Sequence, residues 1–290
     1  MSFTEVIYIS KDVLRLIGHN FFKGDFKYSY NNKGCKKILV LGNGPSASQH
    51  LEALDKRVNT DIFALNDFSI SPFFQKIKPN YYVFLDPCYW LSPEKTNSFD
   101  VQMREKVMDS ISRNVSWEMR VFIPKNVHKK RLIPALYTNK NIRIVTYDDF
   151  YISLRDNAFF YSCLKKNLAT PFNNVLAAAI YLAVNMGYMQ IGILGADHSW
   201  TIDLRVNESN EVCTVKRHFF DEEETLVPWY TSMGSPYKMS KILEDLRKTF
   251  LSYELLSKYA ESFNVRIVNC SKGSFIDSFD RQGFNDFFEE

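Results

Sequence analysis

The 290-residue sequence lacks most of the features that would settle its class quickly. No stretch reaches the ~18 consecutive apolar residues of a membrane span. The N-terminus carries Glu5, Lys11 and Asp12 and has no uninterrupted apolar segment of the signal-peptide kind. Five cysteines (Cys35, Cys88, Cys163, Cys213, Cys270) are scattered and odd in number. None forms a CxxC pair, so neither a disulfide framework nor a zinc knuckle is expected. That usage points by default to a reducing, cytoplasmic setting. Charge of one sign is also missing: 36 Lys and Arg stand against 33 Asp and Glu, a net +3. So even a balance does not suggest a nucleic-acid binder. There is no internal repeat and no low-complexity linker.

What is present is apolar bulk. Hydrophobic residues make up 46% and aromatics 15%, enough for a large core in one large domain or two small ones. Short apolar runs at 36–42, 61–66, 80–86, 119–124, 142–147, 189–195 and 265–270 read as strands. Most are continuous rather than alternating, as in strands covered on both faces. Helical spacing over 172–186 (Val175, Leu176, Ala179, Ile180, Ala183) ends at Gly187, and a longer helix is expected over 238–263. This βαβα order predicts an α/β fold: a mostly parallel sheet with helices on both faces.

Two regions break the rhythm. Residues 1–35 read as an amphipathic helix and a connector. Residues 198–236 form a polar connection too long for a plain loop and are expected to be a lid insertion.

In "ILVLGNGPSASQHLEAL" (38–54) a buried strand runs into Gly42, Asn43, Gly44, Pro45 and Ser46. Glycines permit close backbone approach, and Pro45 presets a first helical turn. A helix N-terminus there would suit a phosphate. The turn is neither GxGxxG nor a P-loop. Other strand tips repeat the polar theme: Asn66-Asp67, Asp86-Pro87 and Asp197-His198-Ser199. In an open parallel sheet all of these lie at the carboxyl edge, where ligands bind.

These features together resemble the bacterial lipooligosaccharide sialyltransferases. The shared order is a GNGPS turn, an asparagine ending the second strand (Asn66), a Thr-Pro helix entry (Thr170) and an alanine-rich helix ending in Gly-Tyr. A strand ending in Gly-x-Asp (Asp197) completes it. The pattern also resembles the motility-accessory-factor flagellin glycosylation proteins and the pterin diphosphokinases. "GADHSW" followed by "RHFFDEEE" looks like glycosyltransferase-like proteins of capsule and O-antigen clusters.

The resemblance implies a Rossmann-like nucleotide-sugar-binding domain over 36–290 with its lid at 198–236. It implies a cytidine monophosphate (CMP) sugar donor, sialic-acid-like, and a glycan or glycolipid acceptor of a surface polysaccharide. No cofactor and no metal are implied. Gly42, Asn43, Gly44, Pro45, Ser46, Asn66, Asp86, Thr170 and Asp197 would hold the nucleotide. Asp86 departs from the family, where an asparagine is usual. A lid histidine serves the family as base and tyrosine hydroxyls bind the leaving phosphate. His218, Tyr230 and Tyr237 match by region.

Glycosyl transfer needs an acceptor hydroxyl deprotonated, a leaving phosphate stabilised and water excluded. The DxD motif that holds a metal in many glycosyltransferases is absent. Tyr230, Tyr237, Lys238, Arg217 and amides near Ser46 are then the expected stabilisers. His198 and His218 are the base candidates, since histidine titrates near neutrality. Glu222–Glu224 reads as solvated surface or, with Asp197, a metal site; Trp200 and Trp229 as lid packing or a stacking platform for a sugar or base; and Asp277 with Arg281 as a helix-end ion pair or a reach to the pocket edge. "KNVHKKR" (125–131) is a small basic patch that would steer an anionic donor, touch a membrane or simply stay solvated. The N-terminal helix is compatible with docking, with an oligomer or with weak peripheral contact at the inner membrane. Two rival functions are an ATP-dependent diphosphokinase and a non-catalytic nucleotide-binding partner in polysaccharide assembly.

Overall fold

In a computed structural model of the chain, residues 14, 36–54, 59–95, 98–149, 164, 170, 174–216, 225–229 and 235–289 are described. The expected N-terminal helix and connector, apart from Leu14, lie outside those residues.

Eleven strands form among the described residues. In chain order they are β1 Lys37–Leu41, β2 Thr60–Leu65, β3 Tyr81–Val83, β4 Met119–Pro124, β5 Ile142–Tyr147 and β6 Gln190–Leu194. There follow β7 Leu204–Val206, β8 Val212–Lys216, β9 Thr225–Pro228, β10 Arg266–Asn269 and β11 Asp280–Arg281. The main sheet has the order β11-β10-β6-β1-β2-β3-β4-β5, and every pair in it is parallel. The expected α/β, Rossmann-like architecture is therefore what the chain adopts.

β1 shows why its run is apolar without a break. Ile38 and Val40 belong to the core on one face of the sheet, Leu39 and Leu41 to the core on the other, and all four are fully buried. Each such side chain contributes about 1.5–3 kcal/mol relative to an exposed one. Helix α1 (Ser98–Asn114) and the C-terminal α4 (Phe284–Glu289) cover one face; α2 (Val175–Asn185) and α3 (Met239–Glu261) cover the other.

Spacing predicts one apolar face for α2, but every residue from Leu176 to Val184 is buried. It lies between the sheet and α3, where Tyr181 stacks on Tyr259 at 5.4 Å. Asn174 caps it, its Oδ1 accepting the Ala177 N–H at 2.8 Å. Gly187 ends it at φ +85°, a left-handed conformation that glycine adopts without strain. α3 turns Tyr253, Leu256 and Tyr259 inward, while Leu243 near its N-terminal end is half-exposed.

The region expected to be a lid contains a three-stranded antiparallel sheet, β7-β8-β9, that the sequence pattern did not announce. Its strands are only three to five residues long, too short to show a clear period. β11 was also missed. Arg281 in it makes no helix-end ion pair; its guanidinium donates to the carbonyls of Ser274 (2.6 Å) and Ile276 (2.7 Å). No described helix is long and apolar enough to cross a membrane.

Candidate functional site

The strand order reverses at β1: the chain leaves it for β2 on one side and later fills β6 and β10 on the other. Crevices in open α/β sheets form at such a switch point, beyond the carboxyl ends of the strands. Here the GNGPS turn leaves β1 beside the Gly195-Ala196-Asp197 tip of β6.

The two tips are zipped together. Gly42 N–H donates to Leu194 O and Gly44 N–H to Gly195 O, both at 2.8 Å. A Cβ on Gly42 would stand 2.4 Å from Gly195 O, and one on Gly44 would stand 1.9 Å from Asp197 Oδ2. The glycines are thus needed for strand-tip packing, whatever they also do for a ligand. Asn43 ties the turn to β2, its Nδ2 donating to Leu65 O at 3.2 Å. Pro45 opens a 3-10 helix, Pro45–His50, rather than an α-helix. The Ser46 amide, expected to face a phosphate, donates to Asp197 Oδ2 at 3.3 Å. A carboxylate of the protein already sits where that anion was placed.

Beyond the zipped tips lies a cleft of ≈ 560 Å³. Gly42, Asn43, Gly44 and Pro45 line one wall, Asn66 and Asp86 a second, Asp197 and His198 a third. Ser199, Trp200, Asp203 and the start of α2 at Asn174 complete it. The four polar strand tips read from the sequence therefore meet. Among the described residues lining the cleft there are three aspartates and no Lys or Arg. Among the described residues no group of three or more His, Cys, Asp or Glu side chains gathers as metal ligands would.

Two residues on its walls hold left-handed backbone, Asn66 at φ +43° and His198 at φ +54°. Such conformations are costly and persist where the surroundings over-determine them. Asn66 is held by its own carbonyl, which accepts the buried Tyr82 hydroxyl. Its Nδ2 donates to Asp86 Oδ2 at 2.7 Å, leaving Oδ1 shielded and without a hydrogen-bond partner. Ser46 Oγ is in the same state. Burial raises the Asp86 carboxyl above the usual range, against the Asn66 hydrogen bond, and the nearby Asp67 and Asp100 add to the rise.

His198 is held by a chain of side chains. Asn174, spending Oδ1 on its helix, donates Nδ2 to the Tyr253 hydroxyl at 2.6 Å. That hydroxyl lies 2.6 Å from His198 Nε2. Since the Tyr253 oxygen already accepts from Asn174, its single proton is best spent on Nε2. This assigns the neutral tautomer with hydrogen on Nδ1. Burial agrees, lowering the imidazole from 6.5 to about 4. Trp200 covers the ring at 4.2 Å and is itself 40% exposed.

The remaining candidates fall elsewhere. Thr170 is buried and is not part of the cleft lining. Tyr237 donates its N–H to Trp229 O at 2.8 Å and packs its ring 6.3 Å from that indole, also outside the lining. His218, Tyr230, Arg217 and Glu222–Glu224 lie outside the described residues. Asn174 and Tyr253, which hold His198, were not among the site residues singled out from the sequence. The first had a signal, an asparagine placed just before an apolar helical run. The second had none, because a tyrosine in a helical stripe reads as core.

Fold and cleft define a Rossmann-like α/β protein with an open cleft at the switch point of its sheet. No protein-family model and no curated protein matches the sequence. Among solved structures, the chain is similar to the sialyltransferase CST-II, determined in complex with a trisaccharide acceptor and CMP. Identity is 12%, coverage 86% of this chain and 87% of that one, and the TM-score 0.37. It is also similar to a UDP-glucuronic acid 4-epimerase of Bacillus cereus, a point mutant in complex with a fluorinated UDP-sugar and NAD. There the identity is 12%, the coverage 80% and 55%, and the TM-score 0.23. These are distant likenesses of fold, and neither says what this chain binds.

Proposed function

We propose that the chain is a glycosyltransferase that seats a nucleotide-activated sugar in the switch-point cleft and passes the sugar to a glycan or glycolipid acceptor. The observation that carries the reading is Asn66: a strained, cleft-lining amide whose Oδ1 is shielded and unpartnered. A buried acceptor left open costs about 1–3 kcal/mol, which a ligand N–H or O–H would recover. Nucleoside and sugar edges offer such donors, and a CMP-linked, sialic-acid-like donor remains the specific expectation. The acceptor would belong to a bacterial surface polysaccharide, and the enzyme would work in the cytoplasm or at the inner membrane.

The roles follow from the hydrogen bonds. His198, neutral and with Nε2 engaged by Tyr253, is suited to donate Nδ1–H to the leaving phosphate rather than to accept a proton. Deprotonation of the acceptor then falls to His218. The described cleft lining holds no Lys or Arg, so a cation to offset the phosphate charge would have to come from beyond it, with Arg217 and Lys238 the expected sources.

Isothermal titration with CMP-, UDP-, GDP- and ADP-sugars tests the reading. Binding of one class, weakened at least tenfold by Asn66→Ala, is expected. Failure of all four classes to bind removes the proposal. A second reading is diphosphate transfer from a magnesium-loaded nucleotide; the cleft offers three aspartates, but among the described residues they do not gather as metal ligands would. That reading requires activity to vanish with EDTA, whereas the first does not.

A further inference from the structure

One stretch of the described chain carries an uninterrupted excess of positive charge. Residues 119–147 hold seven Lys and Arg and no Asp or Glu; taking these from 36 leaves 29 cations against 33 carboxylates elsewhere. The rest of the chain is net acidic, as is the cleft lining.

Part of the cluster is answered locally. Arg120 and Arg143 pair with Glu118 at 3.8 and 3.5 Å. Asp148 and Asp149 follow β5 one and two residues past the Pro124–Tyr147 pair, and β5 is the strand next to β4, which leads into the helical turn Lys125–Lys129. Lys129, Lys130 and Arg131 stand exposed on the turn after β4, at the carboxyl edge of the sheet.

This turn is built, not loose. Lys130 N–H donates to Asn126 O (3.2 Å), Arg131 N–H to His128 O (3.0 Å) and Leu132 N–H to Val127 O (3.1 Å). Arg131 takes φ +49° and lays its guanidinium over Tyr137 at 4.9 Å. The Tyr137 hydroxyl is tied to His128, 3.1 Å from Nδ1 and 3.3 Å from the carbonyl. At the tip, next to the three cations, Leu132 is 37% exposed.

We infer that this turn is a contact surface for an anionic lipid bilayer. Three adjacent cations with a neighbouring exposed leucine combine the two attractions of an interfacial anchor, phosphate charge and an apolar insertion. A nucleic-acid surface would need cations tracked along a backbone and exposed aromatics for stacking. Here the phenol beside the cations, Tyr137, already has Arg131 over its ring. Binding would hold the carboxyl edge of the sheet, and with it the cleft, toward the lipid. That orientation suits an acceptor carried on lipid and rests on the glycosyltransferase reading; the membrane contact itself does not.

Co-sedimentation of the full chain with phosphatidylcholine vesicles, with and without phosphatidylglycerol, tests it. The chain should partition onto the phosphatidylglycerol vesicles only, and high salt should release it. Lys129→Gln with Lys130→Gln should lower that partition roughly 25-fold, about 5-fold per cation, while melting temperature and sugar-nucleotide binding stay unchanged. Leu132→Asn should lower the part that survives high salt. No partition by the wild-type chain, equal partition by the double variant, or binding to duplex RNA with the vesicles left free would each overturn the inference. Loss of nucleotide binding with vesicle binding intact would sink the glycosyltransferase reading and leave this one standing.

Discussion

Lowering the pH from 7 to 4 should cost the folded chain roughly 3 kcal/mol through His198 alone. The imidazole titrates at 6.5 when unfolded and at about 4 when folded. Between those values the unfolded state binds the extra proton, so stability falls as pH falls. The loss begins near 6.5 and is complete below about 4; above 6.5 this group leaves stability unchanged. The cause is burial, with Tyr253 donating to Nε2 and so favouring the neutral ring. Two measurements check it. NMR titration of the chain's five histidines should show one that holds its neutral shift down to about pH 5 and disappears in His198→Asn. Urea unfolding of wild type and His198→Asn should show the gap between them closing by roughly 3 kcal/mol from pH 7 to 4. An imidazole that titrates at or above 6.5, or a gap that does not move, would refute both the tautomer and the donor role built on it.

Other expectations concern the supports of the cleft. Tyr253→Phe strips His198 and Asn174 of a shared buried partner and should cost about 1–3 kcal/mol in urea unfolding, with the His198 titration moving up. Asn174→Ala loses the α2 cap as well and should cost about 1–2 kcal/mol by the same assay. Gly42→Ala pushes a methyl into Gly195 O and should lower stability by about 1–3 kcal/mol; a neutral outcome would mean the strand tips are not zipped. Asp86→Asn acts in the opposite sense. The folded carboxyl prefers its proton, so wild-type stability falls as pH rises from the unfolded value of 3.8 through the raised folded value. The variant should be the more stable of the two at about pH 8, with the advantage shrinking toward about pH 3, as read by thermal melting.

The placement of these groups shows how differently strands and sites are written in a sequence. β1, β2, β3, β4, β6 and β10 were legible because parallel strands covered on both faces need apolar residues at most positions, as Ile38 to Leu41 show. β5, at the sheet edge, was legible from its Ile142, Ile144 and Val145 run despite an exposed Arg143. α2 and α3 were legible from spacing, although spacing alone did not reveal that α2 is buried all round. The polar strand tips were legible as well: Asn43, Asn66, Asp86 and Asp197 stand at the ends of apolar runs, and a parallel sheet puts such ends on one edge.

Sequence by itself thus determined the fold class and the edge on which a site could form, because burial leaves a local, periodic record. Only the tertiary structure decided the strand order that makes β1 and β6 neighbours, and hence that Asp197 takes the Ser46 amide. It alone joined Asn174 to His198 through Tyr253, residues up to 79 apart in the chain. Hydrogen bonds of that kind depend on three-dimensional proximity, and no local pattern of residues encodes the partner.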